Sequence, residues 1–216
     1  APARGRDARA LTIVLGLTAA LAVAELVGGL IGDSLALLAD AGHMLSDVGS
    51  LTLALGALWL ARRPPTARMS FGFRRAEILA ALFNGVALVA IAIWIFIEAA
   101  QRLSDPPEIL TGTTLAIALA GLAVNVLGVV ILARSGGRSL NLRAAKLHVF
   151  ADLLGSVGVV VSTLIIIATG WLYADPLVSI LIGVLVLASS WRVLRESFGV
   201  LLEAAPEGID AEEVGR

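Results

Sequence analysis

The sequence predicts an all-α polytopic membrane protein with six transmembrane helices and both termini in the cytoplasm. Of its 216 residues, 58% are hydrophobic and 15% are charged, and the mean hydropathy is +0.94, well above that of soluble domains. The apolar residues gather in six runs, each long enough for the roughly 20 residues that a helix needs to cross a bilayer. The alternating pattern of membrane-spanning strands is missing, so a barrel is not expected.

Short polar or proline-containing breaks separate the six runs. We expect helices over residues 10–32, 35–61, 76–101, 110–133, 145–169 and 175–194. The breaks read GDS, RRPPTARMSFGF, SDPPE, RSGGRS and YADP, and such residues end helices and form turns. Each predicted helix therefore has a defined start and end.

The chain leaves the apolar region near residue 202. Residues 203–216 are acidic and too few to fold alone. We therefore expect a six-helix transmembrane domain over 1–202 and the start of a truncated cytoplasmic domain over 203–216. The chain begins with alanine rather than methionine and has no cleavable signal pattern, which also suggests trimming at the N-terminus.

Basic residues predict the orientation, because cytoplasmic loops carry an excess of lysine and arginine. Arg102 alone flanks one side of the predicted bundle. The opposite side is flanked by Arg4, Arg6, Arg9, Arg62, Arg63, Arg68, Arg74, Arg75, Arg134, Arg138, Arg143, Lys146, Arg192 and Arg195. This asymmetry places both termini in the cytoplasm.

Composition limits the chemistry of any site. The chain has no cysteine, so neither a disulfide framework nor a thiolate metal site is possible. Its formal net charge of −1 gives no reason to expect a nucleic-acid partner. Any metal ion must therefore be held by nitrogen and oxygen atoms.

The chain has two histidines, and each lies four residues before an aspartate in an apolar run. His43 precedes Asp47 in the predicted second helix, and His148 precedes Asp152 in the fifth. Residues four apart share one face of a helix. Because these two helices run in opposite directions, His43 is expected level with Asp152, and Asp47 level with His148. Four such ligands suit a tetrahedral ion, the geometry that zinc prefers.

Charge balance favours a divalent ion at this quartet, because two ionised aspartates neutralise it and lower its cost of burial. Two other interpretations remain open at this point. The four residues can hydrogen-bond between helices or line a water-filled crevice. The two histidines can also hold a haem, which leaves the aspartates without a task.

Two further acids lie inside the predicted helices. Asp40 precedes His43 by three residues and either orients its imidazole or lines an access cavity. Glu25, deep in the first helix, either handles protons or pairs with a polar neighbour. Gly28 and Gly32 form a small-xxx-small surface, which we interpret as a helix-packing contact.

The depths of the two motifs do not match perfectly. Asp47 is closer in sequence to Ser34, at the outer end of its helix, than Asp152 is to Gly170 at the outer end of the fifth helix. At about 1.5 Å per residue, the two depths differ by about 7 Å. Helix tilt or a protruding fifth helix would absorb this difference, and the sequence does not choose between them.

Three segments carry a resemblance to a known family. The stretches LADAGHMLSD (38–47), FGFRRAEILAALFNG (71–85) and LNLRAAKLHVFADLLGSVGVV (140–160) resemble the cation diffusion facilitator family, in its zinc-transporting branch. The resemblance implies a homodimer of six-helix subunits, each followed by a cytoplasmic domain, that exchanges zinc for protons. Carried onto matching positions, it implies that His43, Asp47, His148 and Asp152 form the transport site.

The predicted function is export of zinc from the cytoplasm in exchange for protons by alternating access. Zn²⁺ is the transported substrate, no organic cofactor is expected, and the partners are zinc, protons, the lipid bilayer and a second copy of the chain. The expected location is a bacterial inner (plasma) membrane. The alternative is an intramembrane zinc sensor or a metalloenzyme with the same ligands. Catalytic zinc usually keeps an open position, so four protein ligands favour transport over catalysis.

Overall fold

The protein is a bundle of six α-helices in the computed structural model. The structure describes residues 2–61, 76–134 and 140–202, and within these it describes no side chain for 2–11, 50–51, 53–61, 76–77, 134, 140–148 and 192. The helices are α1 (Pro2–Gly32), α2 (Leu35–Ala61), α3 (Ala76–Ser104), α4 (Thr111–Arg134), α5 (Leu140–Thr169) and α6 (Ala174–Leu201). The described residues contain no strand, and the predicted all-α class is confirmed.

The observed helices are longer than the predicted ones. Helix α1 begins at Pro2 rather than at residue 10, and α6 ends at Leu201 rather than at 194. Hydropathy marks only the part of a helix that suits hydrocarbon. The backbone of a helix hydrogen-bonds within itself, so the helix can continue through polar residues beyond that part.

Within the residues that the structure describes, five helices are long and apolar enough to cross a membrane. They are α1, α3, α4, α5 and α6. The structure describes few side chains in the inner half of α2. Helix α2 is not among these five helices. The presence of membrane-spanning helices is thus confirmed, whereas a sixth span and cytoplasmic termini stay predictions.

Three connections between helices meet at one end of the bundle. Near Asp33, between α1 and α2, the guanidinium of Arg102 from α3 donates to the Asp33 carbonyl and carboxylate, both at 2.6 Å. The amide of Leu110, before α4, donates to the Gly32 carbonyl at 3.0 Å. Asp175, at the start of α6, also reaches this end. The chain therefore runs up and down as predicted, with these connections on the side that we expect to be outer.

The start of α2 is capped by a side chain of another helix. The Ser34 hydroxyl accepts a hydrogen bond from the Leu37 amide at 3.3 Å, as an N-cap residue does. The same hydroxyl donates to Asp175 at 2.6 Å. Asp175 further accepts from the amides of Leu35 and Ala36 at 2.8 and 3.3 Å. A carboxylate near a helix N-terminus is also favoured by the helix dipole, so Asp175 joins α6 firmly to α2.

Helix α2 lies inside the bundle over its outer half. Every residue from Ser34 to Ala41 is buried, and α2 contacts α1, α3, α5 and α6. The largest core cluster contains Ala36, Leu37, Ala39, Leu88, Ala92, Ile95, Ala118, Val159, Val160, Ile182 and Val186. This central position carries the residues that follow Ala39 into the middle of the bundle.

The predicted glycine surface of α1 packs against α4. A Cβ added at Gly28 would collide with the Ile117 side chain, and one added at Gly32 would lie 2.6 Å from Thr114 Oγ1. Small residues let helix backbones approach closely within a membrane. The two glycines thus place α4 directly beside α1.

Candidate metal centre

His43 and Asp47 project from one face of α2. Their four-residue spacing brings His43 Nε2 to 3.5 Å from Asp47 Oδ2. Both side chains are partly exposed, with 19% and 23% of their area accessible. The predicted motif on α2 therefore presents an imidazole nitrogen and a carboxylate oxygen to one point.

Asp152 joins this pair from α5. Its side chain is only 1% exposed, and its Oδ1 lies 3.9 Å from His43 Nε2. One ligand atom each of His43, Asp47 and Asp152 lies within 4.8 Å of the others. These three predicted ligands therefore converge between two helices that are far apart in sequence.

The distances suit a tetrahedral ion. With metal–ligand bonds of about 2.0 to 2.2 Å, neighbouring ligand atoms of a tetrahedron lie about 3.3 to 3.6 Å apart. The separation of His43 and Asp47 falls in this range, and that of His43 and Asp152 exceeds it by a few tenths of an ångström. A small shift of one side chain would bring this second separation into the tetrahedral range.

The register of α2 and α5 bears on the fourth predicted ligand. Ser156 of α5 contacts Asp40 of α2, and Asp152 contacts His43. Extending this antiparallel register by one turn predicts position 148 of α5 opposite Asp47. The side chain of His148 lies outside the described residues, so its place in the quartet stays a prediction.

The same contacts bear on the depth difference expected from the sequence. Asp40 lies little more than one turn after the start of α2 at Leu35, whereas Ser156 lies more than three turns before the end of α5 at Thr169. Their side chains nevertheless hydrogen-bond at 3.2 Å. The expected difference in depth therefore does not keep Asp152 away from His43.

Asp40 belongs to a buried polar layer beside the candidate ligands. Its side chain is 1% exposed and accepts a hydrogen bond from the Ser156 hydroxyl at 3.2 Å. The amide nitrogen of Asn125, on α4, donates to the same hydroxyl at 2.9 Å. A Cβ at Gly155 would lie 2.6 Å from Asp40 Oδ1. Asp40 is thus fixed by α5, and its predicted action on the His43 imidazole stays a prediction.

Glu25 lies in α1 and is fully buried. Its Oε1 would lie 2.5 Å from a Cβ added at Gly121 of α4. Neither of its carboxylate oxygens has a hydrogen-bond partner among the residues that the structure describes. Within that part of the chain, the structure therefore gives no support to a pairing with a polar neighbour, which was one of the two predicted roles of Glu25.

Sequence reasoning missed Ser156, Ser34 and Asp175. The signal for Ser156 was present, since it follows Asp152 by four residues and shares its helix face. Ser34 immediately precedes an apolar run, which is a signature of an N-cap. Nothing in the sequence around Asp175 indicates that it caps a helix much earlier in the chain.

The fold and this site define a class of protein. A bundle with membrane-spanning helices that brings an imidazole and two carboxylates to one point between helices is a polytopic membrane protein with a candidate metal centre. Polar groups of this kind inside a membrane mark ion pathways.

Comparison with known proteins identifies the family. The profile of the cation efflux transmembrane domain matches residues 11–202. The chain is 50% identical over 211 residues to the zinc transporter ZitB of Escherichia coli (strain K12), covering 97% of this chain and 67% of that protein. The chain therefore belongs to the cation efflux family, in its zinc-transporting branch, and the predicted resemblance is confirmed.

Two further relatives agree. The metal cation efflux system protein CzcD of Cupriavidus metallidurans is 43% identical over 210 residues, which cover 97% of this chain and 66% of that protein. A cadmium, cobalt and zinc/H(+)-K(+) antiporter of Bacillus subtilis (strain 168) is 44% identical over 215 residues, 98% of this chain and 69% of that protein. This chain thus spans about two thirds of the length of these relatives.

These findings settle three expectations. The relatives are named as transporters, an efflux system and an antiporter, which confirms that the chain is not an enzyme. The metalloenzyme alternative is therefore set aside. The family domain and its bacterial relatives also confirm an integral protein of the bacterial inner membrane.

Proposed function

We propose that this protein is a secondary transporter that exports Zn²⁺ from the cytoplasm in exchange for protons by alternating access. The observation that carries the proposal is the convergence of His43, Asp47 and Asp152 within 4.8 Å between α2 and α5. We propose His148 as the fourth ligand, because the register seen at Ser156 and Asp152 predicts position 148 opposite Asp47.

Charge supports a divalent cation as the substrate. Two ionised aspartates cancel the two charges of the ion, and neutral imidazoles add none, so the loaded site is close to neutral and cheaper to bury. Nitrogen and carboxylate oxygen are ligands that zinc accepts readily. The name of the ZitB relative supports zinc as the principal ion.

The same side chains supply the exchange with protons. Metal binding requires neutral imidazole and ionised carboxylate, so protons compete with zinc at these atoms. Imidazole changes its charge in the physiological pH range. Protons that enter from an acidic exterior favour release of the ion, and a neutral cytoplasm favours reloading. The relative named as an antiporter supports this exchange.

Orientation and assembly belong to the same proposal. The asymmetry of basic residues supports cytoplasmic termini, with the connections near Asp33, Asp105 and Gly170 outside. The family resemblance supports a homodimer and a cytoplasmic domain that begins with residues 203–216, which lie outside the described residues.

Flux into liposomes tests the proposal. The purified chain is reconstituted with a pH-sensitive dye inside, a zinc gradient is imposed, and zinc and proton movements are recorded together. We expect opposed fluxes in the wild type and in Asp105→Asn, which removes an exposed acid outside the helices. We expect neither flux in Asp47→Ala.

Two outcomes would contradict the proposal. Zinc binding without flux in the wild type would favour the sensor alternative. Zinc flux that leaves the internal pH unchanged and ignores an imposed pH gradient would show transport of zinc alone, without exchange.

A further inference from the structure

Glu25 is a buried acid outside the group of candidate ligands. It lies fully buried on α1, and the potential ligands that converge among the described residues are His43, Asp47 and Asp152, without Glu25. Both of its oxygens lack a hydrogen-bond partner in the described part of the chain. Asp40 differs, because the Ser156 hydroxyl donates to it.

The described side chains of the helices around Glu25 include no permanent positive charge. Helix α1 contacts α2, α4 and α5. The charged groups that act on Glu25 are Asp40 of α2 and Asp152 of α5, and both are acidic. Residues 111–133 of α4 include no charged residue, and residues 149–169 of α5 include only Asp152. His43 is the one group in residues 35–49 of α2 that can become a cation.

The structure nevertheless makes room for this carboxyl group. A side chain at position 121 of α4 would occupy its place, since an added Cβ would lie 2.5 Å from Glu25 Oε1 and 3.3 Å from Leu21 Cδ1. Asn125 lies one turn further along α4 and begins the hydrogen-bonded chain through Ser156 to Asp40. The Glu25 carboxyl group thus packs against Gly121, with Leu21 nearby. This contact lies next to the polar layer of the metal centre.

A carboxylate in these surroundings needs a neutralising cation or proton, because burial of an isolated charge in a membrane is costly. The absence of Glu25 from the converging ligand group argues against a metal ion. We propose that Glu25 is a proton-binding site of the transport cycle, separate from the metal ligands. This inference rests on the proposed exchange of zinc for protons.

Coupling follows from electrostatics in a low-dielectric bundle. When Zn²⁺ binds at the metal centre, its two charges stabilise the ionised form of Glu25, so the O–H bond breaks and the proton passes to water. When the ion leaves, its two positive charges no longer offset the cost of a buried carboxylate, and Glu25 takes up a proton again. Glu25 lies about two turns before Gly32, about 10 Å from the predicted outer end of α1.

Proton release on zinc binding tests the inference without transport. Zinc is titrated into the purified chain in detergent by calorimetry, in two buffers with different ionisation enthalpies, and the difference gives the protons released per ion. We expect Glu25→Gln, which imitates the protonated side chain, to release fewer protons than the wild type, by about one at most. Glu108→Gln makes the same change at an exposed loop position and should release the wild-type number.

Further measurements keep the test decisive. Glu25→Asp restores a carboxyl group and should recover part of the lost proton release. Infrared difference spectra should show a protonated carboxyl band that disappears when zinc binds, is missing in Glu25→Gln and is shifted in Glu25→Asp. If Glu25→Gln does not fold, the band in Glu25→Asp decides the question.

Equal proton release from Glu25→Gln and the wild type would overturn the inference, and so would a band that is unchanged in Glu25→Asp. These results would leave the proposed exchange intact, because protons released from the four ligands would still be counted. A wild type that binds zinc and releases protons but shows no flux would instead contradict the proposed transport.

Discussion

Ser156 of α5 donates a hydrogen bond of 3.2 Å to Asp40 of α2, about one turn from the contact between His43 and Asp152. This bond fixes the register of the two helices that carry the candidate ligands. It also gives a buried carboxylate a hydrogen-bond donor, so both the geometry of the metal centre and the stability of the bundle depend on one hydroxyl group.

Ser156→Ala should weaken both zinc binding and the stability of the bundle. Asp40 would lose a donor in a buried position, at a cost of about 1 to 3 kcal/mol, and we expect a lower thermal unfolding temperature and a severalfold weaker affinity for zinc. Thermal denaturation and zinc titration in detergent measure these effects. Ser162→Ala is the matched control, because the Ser162 hydroxyl donates to the Val159 carbonyl of its own helix. Equal effects of both variants would exclude a role of Ser156 in the register.

His148→Ala should abolish tight zinc binding. Loss of groups that merely support a ligand typically weakens metal affinity by about 10- to 100-fold, so loss of a direct ligand should exceed that range. Isothermal titration with zinc measures the change. Phe150→Ala alters an exposed position two residues further on α5 and should bind zinc normally. Affinity in His148→Ala close to that of the wild type would remove this residue from the quartet.

His43→Asp should broaden the range of ions that are bound. A borderline nitrogen ligand is replaced by a hard oxygen, and ligand type contributes strongly to selectivity among divalent metals. Competition between zinc and cadmium during transport into liposomes measures the change. The preference of the variant should differ clearly from that of the wild type. An unaltered zinc-to-cadmium ratio would show that His43 does not determine selectivity.

Single-cysteine labelling should report the orientation. The chain has no cysteine, so each introduced thiol is unique. Asp105→Cys and Tyr173→Cys should react with a membrane-impermeant maleimide added to intact cells, because both lie at the predicted outer end. Thr66→Cys, which lies outside the described residues, should react only after the cells are opened. The reverse pattern would contradict the orientation inferred from the basic residues.

Asp175→Ala should destabilise the outer end of the bundle. The Ser34 hydroxyl and the amides of Leu35 and Ala36 would lose their acceptor, and loss of a cap costs about 0.5 to 2 kcal/mol. Thermal denaturation should show a lower unfolding temperature than in Asp105→Ala, which removes an exposed acid. Identical stability of the two variants would mean that the cap contributes nothing measurable.

The helices and the chemistry of the candidate site could be predicted from the amino-acid pattern alone. Apolar runs of membrane-spanning length, separated by prolines and glycines, predict helices. Within a membrane no water is present to bind the backbone groups, so they must hydrogen-bond within each helix. The motifs at His43 and His148 could also be recognised in the sequence, since the four-residue spacing alone places an imidazole and a carboxylate on one helix face. Those two facts led to a metal centre between α2 and α5.

The contacts between residues of different helices could not be predicted without the three-dimensional structure. Counting residues from the outer helix ends gave different depths for Asp47 and Asp152. The hydrogen bond between Asp40 and Ser156 shows how α2 and α5 align in spite of this difference. Likewise, the sequence did not predict that Asp175 caps α2 or that Glu25 packs against Gly121. Helical periodicity is a local property, whereas the depth and rotation of one helix against another depend on packing between side chains that are distant along the chain.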